Sequence, residues 1–153
     1  IMDDELRIAF DFDGVIADDD SEKIYQEHGL SAFHRHEATT KAPLDPGPLA
    51  DLLIKISNLQ KLEMARMGES GEYRRRLKIS IVTARNAPAH ERVVNTLKSW
   101  GVDVNEAFFL GGISKDRVLE IMRPHIFFDD QMSHLDHLHN VPAVHIPMGI
   151  ANE

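Results

Sequence analysis

The sequence predicts an α/β fold, a five-stranded parallel sheet with helices on both faces. Three observations predict it: five short apolar runs, helix-period segments between them, and polar or glycine-bearing turns directly after the runs. Such alternation calls for parallel strands joined by right-handed crossovers. The loops after the strands then share one edge of the sheet, where open α/β sheets bind their ligands.

The first strand is carried by the run from Leu6 to Phe10, which ends in Asp11-Phe12-Asp13-Gly14. Alternate residues of a strand share a face, but Gly14 signals a turn that would crowd both carboxylates around one point. Two carboxylates that close repel, and they stay ionised most readily with a cation such as Mg²⁺ between them. A metal site is the reading that follows; a plain polar strand end entering a turn is the alternative.

A polar stretch from Asp18 to about Lys41 comes next, with a helix expected near Ser21 to Gly29 that Ser21 would cap. Ala42 to Pro48 breaks regular structure, and Pro48 suits the first turn of a helix whose Leu49, Leu52, Leu53, Ile56, Leu59 and Leu62 form one apolar stripe. Gly68 to Arg76 reads as an exposed segment, with Arg74-Arg75-Arg76 solvated. Ile79 to Val82 is the second strand, followed by Thr83-Ala84-Arg85-Asn86 and a helix opening near Pro88. Its Val93, Val94, Leu97 and Trp100 share a side, and Gly101 stops it. Ala107 to Leu110 is the third strand, and Val118, Leu119 and Met122 are the inner side of a short helix. His125 to Phe128 is the fourth strand, running into Asp129-Asp130; a short helix through Leu138 and a fifth strand at Ala143 to Pro147 close the set.

A chain of 153 residues with 42% hydrophobic content suits a single domain over 1–153. The absence of cysteine excludes a disulfide framework, a thiolate zinc site and a cysteine nucleophile, and it fits a cytoplasmic protein. No apolar run approaches the roughly 20 residues of a spanning helix, and Ile1 to Glu5 lacks the pattern of a signal peptide, so no membrane role is expected. A formal charge of −8 disfavours nucleic acid as a partner and repels anions, so any phosphate must be held by a metal and a few local cations.

The shared sheet edge gathers Asp11 and Asp13, Thr83 and Arg85, Lys115, and Asp129 and Asp130. In this order and at these element ends, Asp11-x-Asp13-Gly14-Val15, Thr83 after Ile-Val, Lys115, and Phe127-Phe128-Asp129-Asp130 resemble the four motifs of the haloacid dehalogenase superfamily of phosphohydrolases. Val82-Thr83-Ala84-Arg85, Leu97 to Gly101, Arg123 to Met132 and His145-Ile146-Pro147 are more locally similar to the cytosolic 5′-nucleotidase I family, whose members extend further at the N-terminus. The resemblance covers nearly the whole chain and implies a three-layer Rossmann-like fold with a short cap insertion at about 18–46. So short a cap implies an open site, or one closed by a partner chain or by the N-terminal part that members of the family carry; a homo-oligomer is a separate expectation.

The resemblance also implies roles. Asp11 would attack phosphorus and form an aspartyl-phosphate, and Asp13 would protonate the leaving oxygen and then deprotonate the attacking water. Thr83 and the backbone of Ala84, with Arg85, would hold the substrate phosphate, and Lys115 would balance charge on nucleophile and phosphoryl group. Asp11, Asp13, Asp129 and Asp130 would form the Mg²⁺ site; the superfamily pattern makes Asp130 the direct ligand and Asp129 a partner through water, an order that two adjacent acids do not reveal by themselves. His134, His137 and His139 step by three and two, do not share one helix face, and read as a solvated helix end. The implied function is Mg²⁺-dependent hydrolysis of phosphomonoesters, with a small-molecule substrate, foremost nucleoside 5′-monophosphates. A phosphatase for a sugar phosphate or phosphoprotein, and a non-catalytic binding module derived from such an enzyme, are the alternatives.

Overall fold

A computed structural model of the chain describes residues 3–153; Ile1 and Met2, the start of the stretch weighed above as a signal peptide, lie outside it. The elements are β1 (Leu6–Phe10), α1 (Asp20–Thr39), α2 (Ala50–Glu69), β2 (Leu77–Thr83), α3 (His90–Ser99), β3 (Glu106–Phe109), α4 (Lys115–Met122), β4 (Ile126–Asp129), α5 (Met132–Leu135) and β5 (Ala143–His145). All strand pairings are parallel, in the order β3-β2-β1-β4-β5. This is the three-layer α/β arrangement expected from the alternation of runs and from the haloacid dehalogenase resemblance.

Strand alternation divides the interior into two cores. Phe10, Ile79 and Ile81 point to one face, against Leu53 of α2 and Val93 and Leu97 of α3. Ala9, Val82 and Phe127 point to the other, against Leu119 of α4. Because the chain leaves β1 toward β2 and β3 and returns on the opposite side as β4, the order reverses between β1 and β4. A crevice at the carboxyl ends of those strands is the geometric result. Phe10 pairs with Phe128, so Asp11 and Asp129 emerge side by side there.

Expectations for three helices need correction. The segment after β1 is helical through Thr39 rather than stopping at Gly29, whose φ of +83° and ψ of 178° fold it into two helical halves. Ser21 does not cap this helix: it is buried, and its hydroxyl donates to Glu37 Oε1 across the fold-back at 2.5 Å. In α2 the buried face is Ala50, Leu53, Ser57 and Gln60, whereas Leu52, Leu59 and Leu62 of the expected stripe are exposed. The polar members are buried because sheet-edge groups need partners: Gln60 Nε2 donates to the Leu77 carbonyl at 3.3 Å, and Ser57 Oγ accepts from Asp103 N at 3.3 Å. Val94 of α3 is likewise exposed. Gly101 ends α3 as expected, with Val102 N–H donating to the Leu97 carbonyl, and Arg74 to Arg76 are exposed. Among the described residues no helix is long and apolar enough to cross a membrane.

The corrected face of α2 is testable. Leu53→Ala should cost about 2–5 kcal/mol in urea unfolding, because Leu53 is fully buried. Leu62→Ala, at a position 67% exposed, should stay within about 0.5 kcal/mol of the parent. Equal losses at the two positions would contradict this packing.

Candidate active site

Asp11 stands directly after β1, with its N–H donating to the Phe128 carbonyl at 2.9 Å as the ladder's last rung. The chain then turns tightly. Val15, Ile16 and Ala17 all donate N–H to the Phe12 carbonyl, and Gly14 takes φ of +76°. A Cβ on Gly14 would run into Asp130 Oδ2, so the glycine lets the loop after β1 close on the acid after β4.

Lys115, the first residue of α4, is buried with Nζ 2.9 Å from both Asp11 Oδ1 and Asp129 Oδ2. Burial alone would favour its neutral form, but the two carboxylates outweigh it and raise the ammonium above its ordinary value. Asp129 is fully engaged. Its Oδ1 accepts from Gln131 N at 2.9 Å, and its Oδ2 lies 2.9 Å from His134 Nδ1 as well as meeting Lys115. Burial pushes its pKa up, but His134 and Lys115 prevail and hold it down at about 2.

Asp130 is different. It is buried, its Oδ1 has no partner, and burial and the neighbouring Asp11 and Asp129 push its carboxyl well above the usual range. Burial likewise pushes Asp11 up, with Lys115 opposing and Asp129 and Asp13 adding to the rise. Three carboxyls thus face one ammonium. The surplus negative charge and the unpartnered Asp130 oxygen are what a hard divalent cation would satisfy, and carboxylate oxygens are the donors Mg²⁺ takes. Asp11, Asp129 and His134 also present donor atoms within 4.8 Å of one another. Asp129 already spends its oxygens on Lys115, His134 and Gln131, which leaves Asp11 and Asp130 as the carboxylates with capacity to spare.

The Asp13 side chain does not join that cluster. Its two oxygens accept from Arg85 Nε and Nη2, both at 2.7 Å, in a bidentate pair. Arg85, expected on the substrate, lines the crevice but is buried with its fork taken up by protein: its Nη1 donates to Glu37 Oε2 at 2.8 Å and to the Ala89 carbonyl at 3.1 Å. Burial opposes its charge, but Asp13 and Glu37 prevail and keep the guanidinium above its ordinary value. Thr83, the last residue of β2, accepts the Arg85 N–H on Oγ1 at 3.1 Å, and it faces the crevice together with Ala84.

The crevice is a cavity of about 390 Å³ with Asp11, Asp13, Thr83 and Arg85 on its floor. Tyr25, Leu30, Phe33 and His34 of α1 form an aromatic wall, with Tyr25 and Phe33 edge to face at 6.3 Å. Residues 18–46 therefore give the site a wall on one side. Sequence reasoning left out three further features: His134, set aside as solvated but placed on Asp129; Glu37, which carries no local signal; and the α1 wall. His137 and His139 are exposed.

The model of the 5′-nucleotidase family matches residues 1–153. Human cytosolic 5′-nucleotidase 1B is 40% identical over 136 residues, which are 88% of this chain and 22% of that protein. The chain therefore spans about a fifth of the length of that relative. Among solved structures, a chain of the Pnkp1/Rnl/Hen1 complex aligns over 92% of this chain and 45% of its own length, with a TM-score of 0.53 and 11% identity. That likeness concerns the fold alone.

The charge surplus makes a prediction about stability. In EDTA, Asp130→Asn should melt at a higher temperature than the parent, because it relieves repulsion among buried acids. Added Mg²⁺ should raise the melting temperature of the parent and leave Asp130→Asn unmoved. Equal Mg²⁺ stabilisation of both proteins would remove Asp130 from the cation site.

Proposed function

Since the chain belongs to the 5′-nucleotidase family, we propose that it hydrolyses nucleoside 5′-monophosphates with Mg²⁺, through an aspartyl-phosphate on Asp11. The observation that carries this reading is the buried Lys115 ammonium holding Asp11 against Asp129 beside an acid with an unpartnered oxygen. Phosphoryl transfer needs little covalent help from a protein and much charge stabilisation, which such a cluster supplies. The name of the human relative supports the cytosol as compartment.

In the first step a free Asp11 oxygen attacks phosphorus, and the P–O bond to the nucleoside breaks. Asp13, which must first take up a proton and release one of its two Arg85 bonds, gives that proton to the departing oxygen. In the second step water attacks the aspartyl-phosphate at phosphorus; Asp13 takes its proton, inorganic phosphate leaves, and Asp11 is regenerated. The Thr83 hydroxyl and the Ala84 N–H would hold phosphoryl oxygens, and Lys115 would offset charge on Asp11 and on the oxygens it attacks. Asp11 and Asp130 would hold Mg²⁺, which when bound would supply the remaining positive charge against the dianionic ester. The aromatic wall of α1 offers stacking surface for the nucleoside.

The test is phosphate release from a panel of nucleoside 5′- and 3′-monophosphates, a sugar phosphate and a phosphoserine peptide, with Mg²⁺ and after chelation. Nucleoside 5′-monophosphates should give the highest kcat/KM, and only with Mg²⁺. Preference for the sugar phosphate or the peptide would replace the substrate, full turnover in chelator would remove the metal, and no hydrolysis at all would favour a binding module. Lys115→Met should lose roughly 10²–10³-fold in kcat, the scale of a missing charge-stabilising donor. A higher KM with unchanged kcat would limit Lys115 to substrate capture.

A further inference from the structure

Glu37 lies outside the machinery just described, yet it is among the most deeply buried charges of the chain, with its side chain fully inaccessible. It sits on the second half of α1, beyond the Gly29 break, four residues after Phe33 of the cavity wall. Its Oε2 accepts from Arg85 Nη1 at 2.8 Å, and its Oε1 accepts from Arg92 Nη1 at 3.0 Å and from the Ser21 hydroxyl at 2.5 Å. Arg85 spends its remaining fork on both oxygens of Asp13. Asp13, Arg85, Glu37 and Arg92 thus form one chain of alternating charge, balanced at two negative and two positive.

The guanidinium of Arg85 also lies over two rings, that of Phe12 at 5.7 Å and that of Phe33 of α1 at 5.6 Å. Half of what fixes Arg85 therefore comes from the segment that walls the cavity. If α1 lifted, Arg85 would lose Glu37 and Phe33 together, and Asp13 would lose the orientation of the Arg85 fork that it accepts from. A buried ion network of this kind adds little stability over apolar packing, so stability alone does not account for it.

We propose that Glu37 is a positioning residue for Asp13: by fixing Arg85 it sets the Asp13 carboxyl for proton transfer, and only while the second half of α1 is seated on the site. The proposal rests on the phosphatase reading above. Seating of the cavity wall and readiness of the acid then become one event, so protonation of the leaving group is tied to a covered substrate.

The test separates proton transfer from scaffolding by the leaving group. A nucleoside 5′-monophosphate expels an alkoxide that needs a proton, whereas 4-nitrophenyl phosphate expels a phenolate that does not. Glu37→Gln keeps the size and removes the charge. Its kcat on the nucleotide should fall roughly 10- to 100-fold, the scale of a misplaced proton donor. On the nitrophenyl ester the loss should stay under about 3-fold, with KM for the nucleotide little changed. In an Asp13→Asn background, Glu37→Gln should add no further selectivity between the esters. A readout independent of turnover is the Arg85 Nε–H signal by NMR, assigned with Arg85→Lys: slowly exchanging in the parent, it should exchange faster in Glu37→Gln. If Glu37→Gln fails to fold, Arg92→Gln loosens Glu37 from its far side and should give the same selective loss. Equal losses on both esters, or an unchanged Arg85 signal, would overturn the proposal while leaving the phosphatase reading intact. A parent chain that hydrolyses neither ester would overturn the phosphatase reading, and this inference with it.

Discussion

The ammonium of Lys115, wedged between Asp11 and Asp129, ties the end of β1 to the end of β4 at the point where the strand order reverses. Parallel pairing of Phe10 with Phe128 delivers two acids to adjacent strand ends, and without a buried cation they would repel across a dry crevice. The first turn of α4 is where that cation can be supplied. The register of the sheet, the start of α4 and the chemistry of the edge are therefore one constraint met together.

Around this pair the edge divides into two electrostatic compartments. Asp11, Asp129 and Asp130 outnumber Lys115, and the unpartnered Asp130 oxygen marks where the deficit of positive charge is concentrated. Asp13 belongs to the other compartment, where Arg85, Glu37 and Arg92 leave no net charge. The tight turn at Gly14 is what allows residues two apart to enter different environments. The proposed nucleophile beside a cation and the proposed acid–base group beside Arg85 have different electrostatic needs, and one short loop would serve both.

The strand ends were legible in the sequence because each is local: an apolar run, then a polar or glycine-bearing turn. Asp11, Lys115, Asp129 and Asp130 converge as their order along alternating elements requires. The stripe of α2 was misread because hydropathy ranks Leu59 and Leu62 above Ser57 and Gln60. The structure buries the polar pair, since the starts of β2 and β3 present backbone and amide groups that need partners. The partners of Arg85, and the places of Glu37 and His134, were illegible for a related reason. Each gains its place from a partner 72, 48 or 5 residues away, respectively, and even the nearest pair depends on the turn after β4. Periodicity carries no record of such contacts.

If Asp11 becomes the phosphoryl acceptor as proposed, trapping measures it directly. The chain with Mg²⁺ is mixed with a nucleoside 5′-monophosphate labelled at phosphorus, quenched in acid within one turnover, reduced with borohydride and digested. Label is expected on the protein before reduction, with Asp11 alone converted to homoserine after it. Phosphate released at the full rate with no labelled protein and an unmodified Asp11 would contradict it.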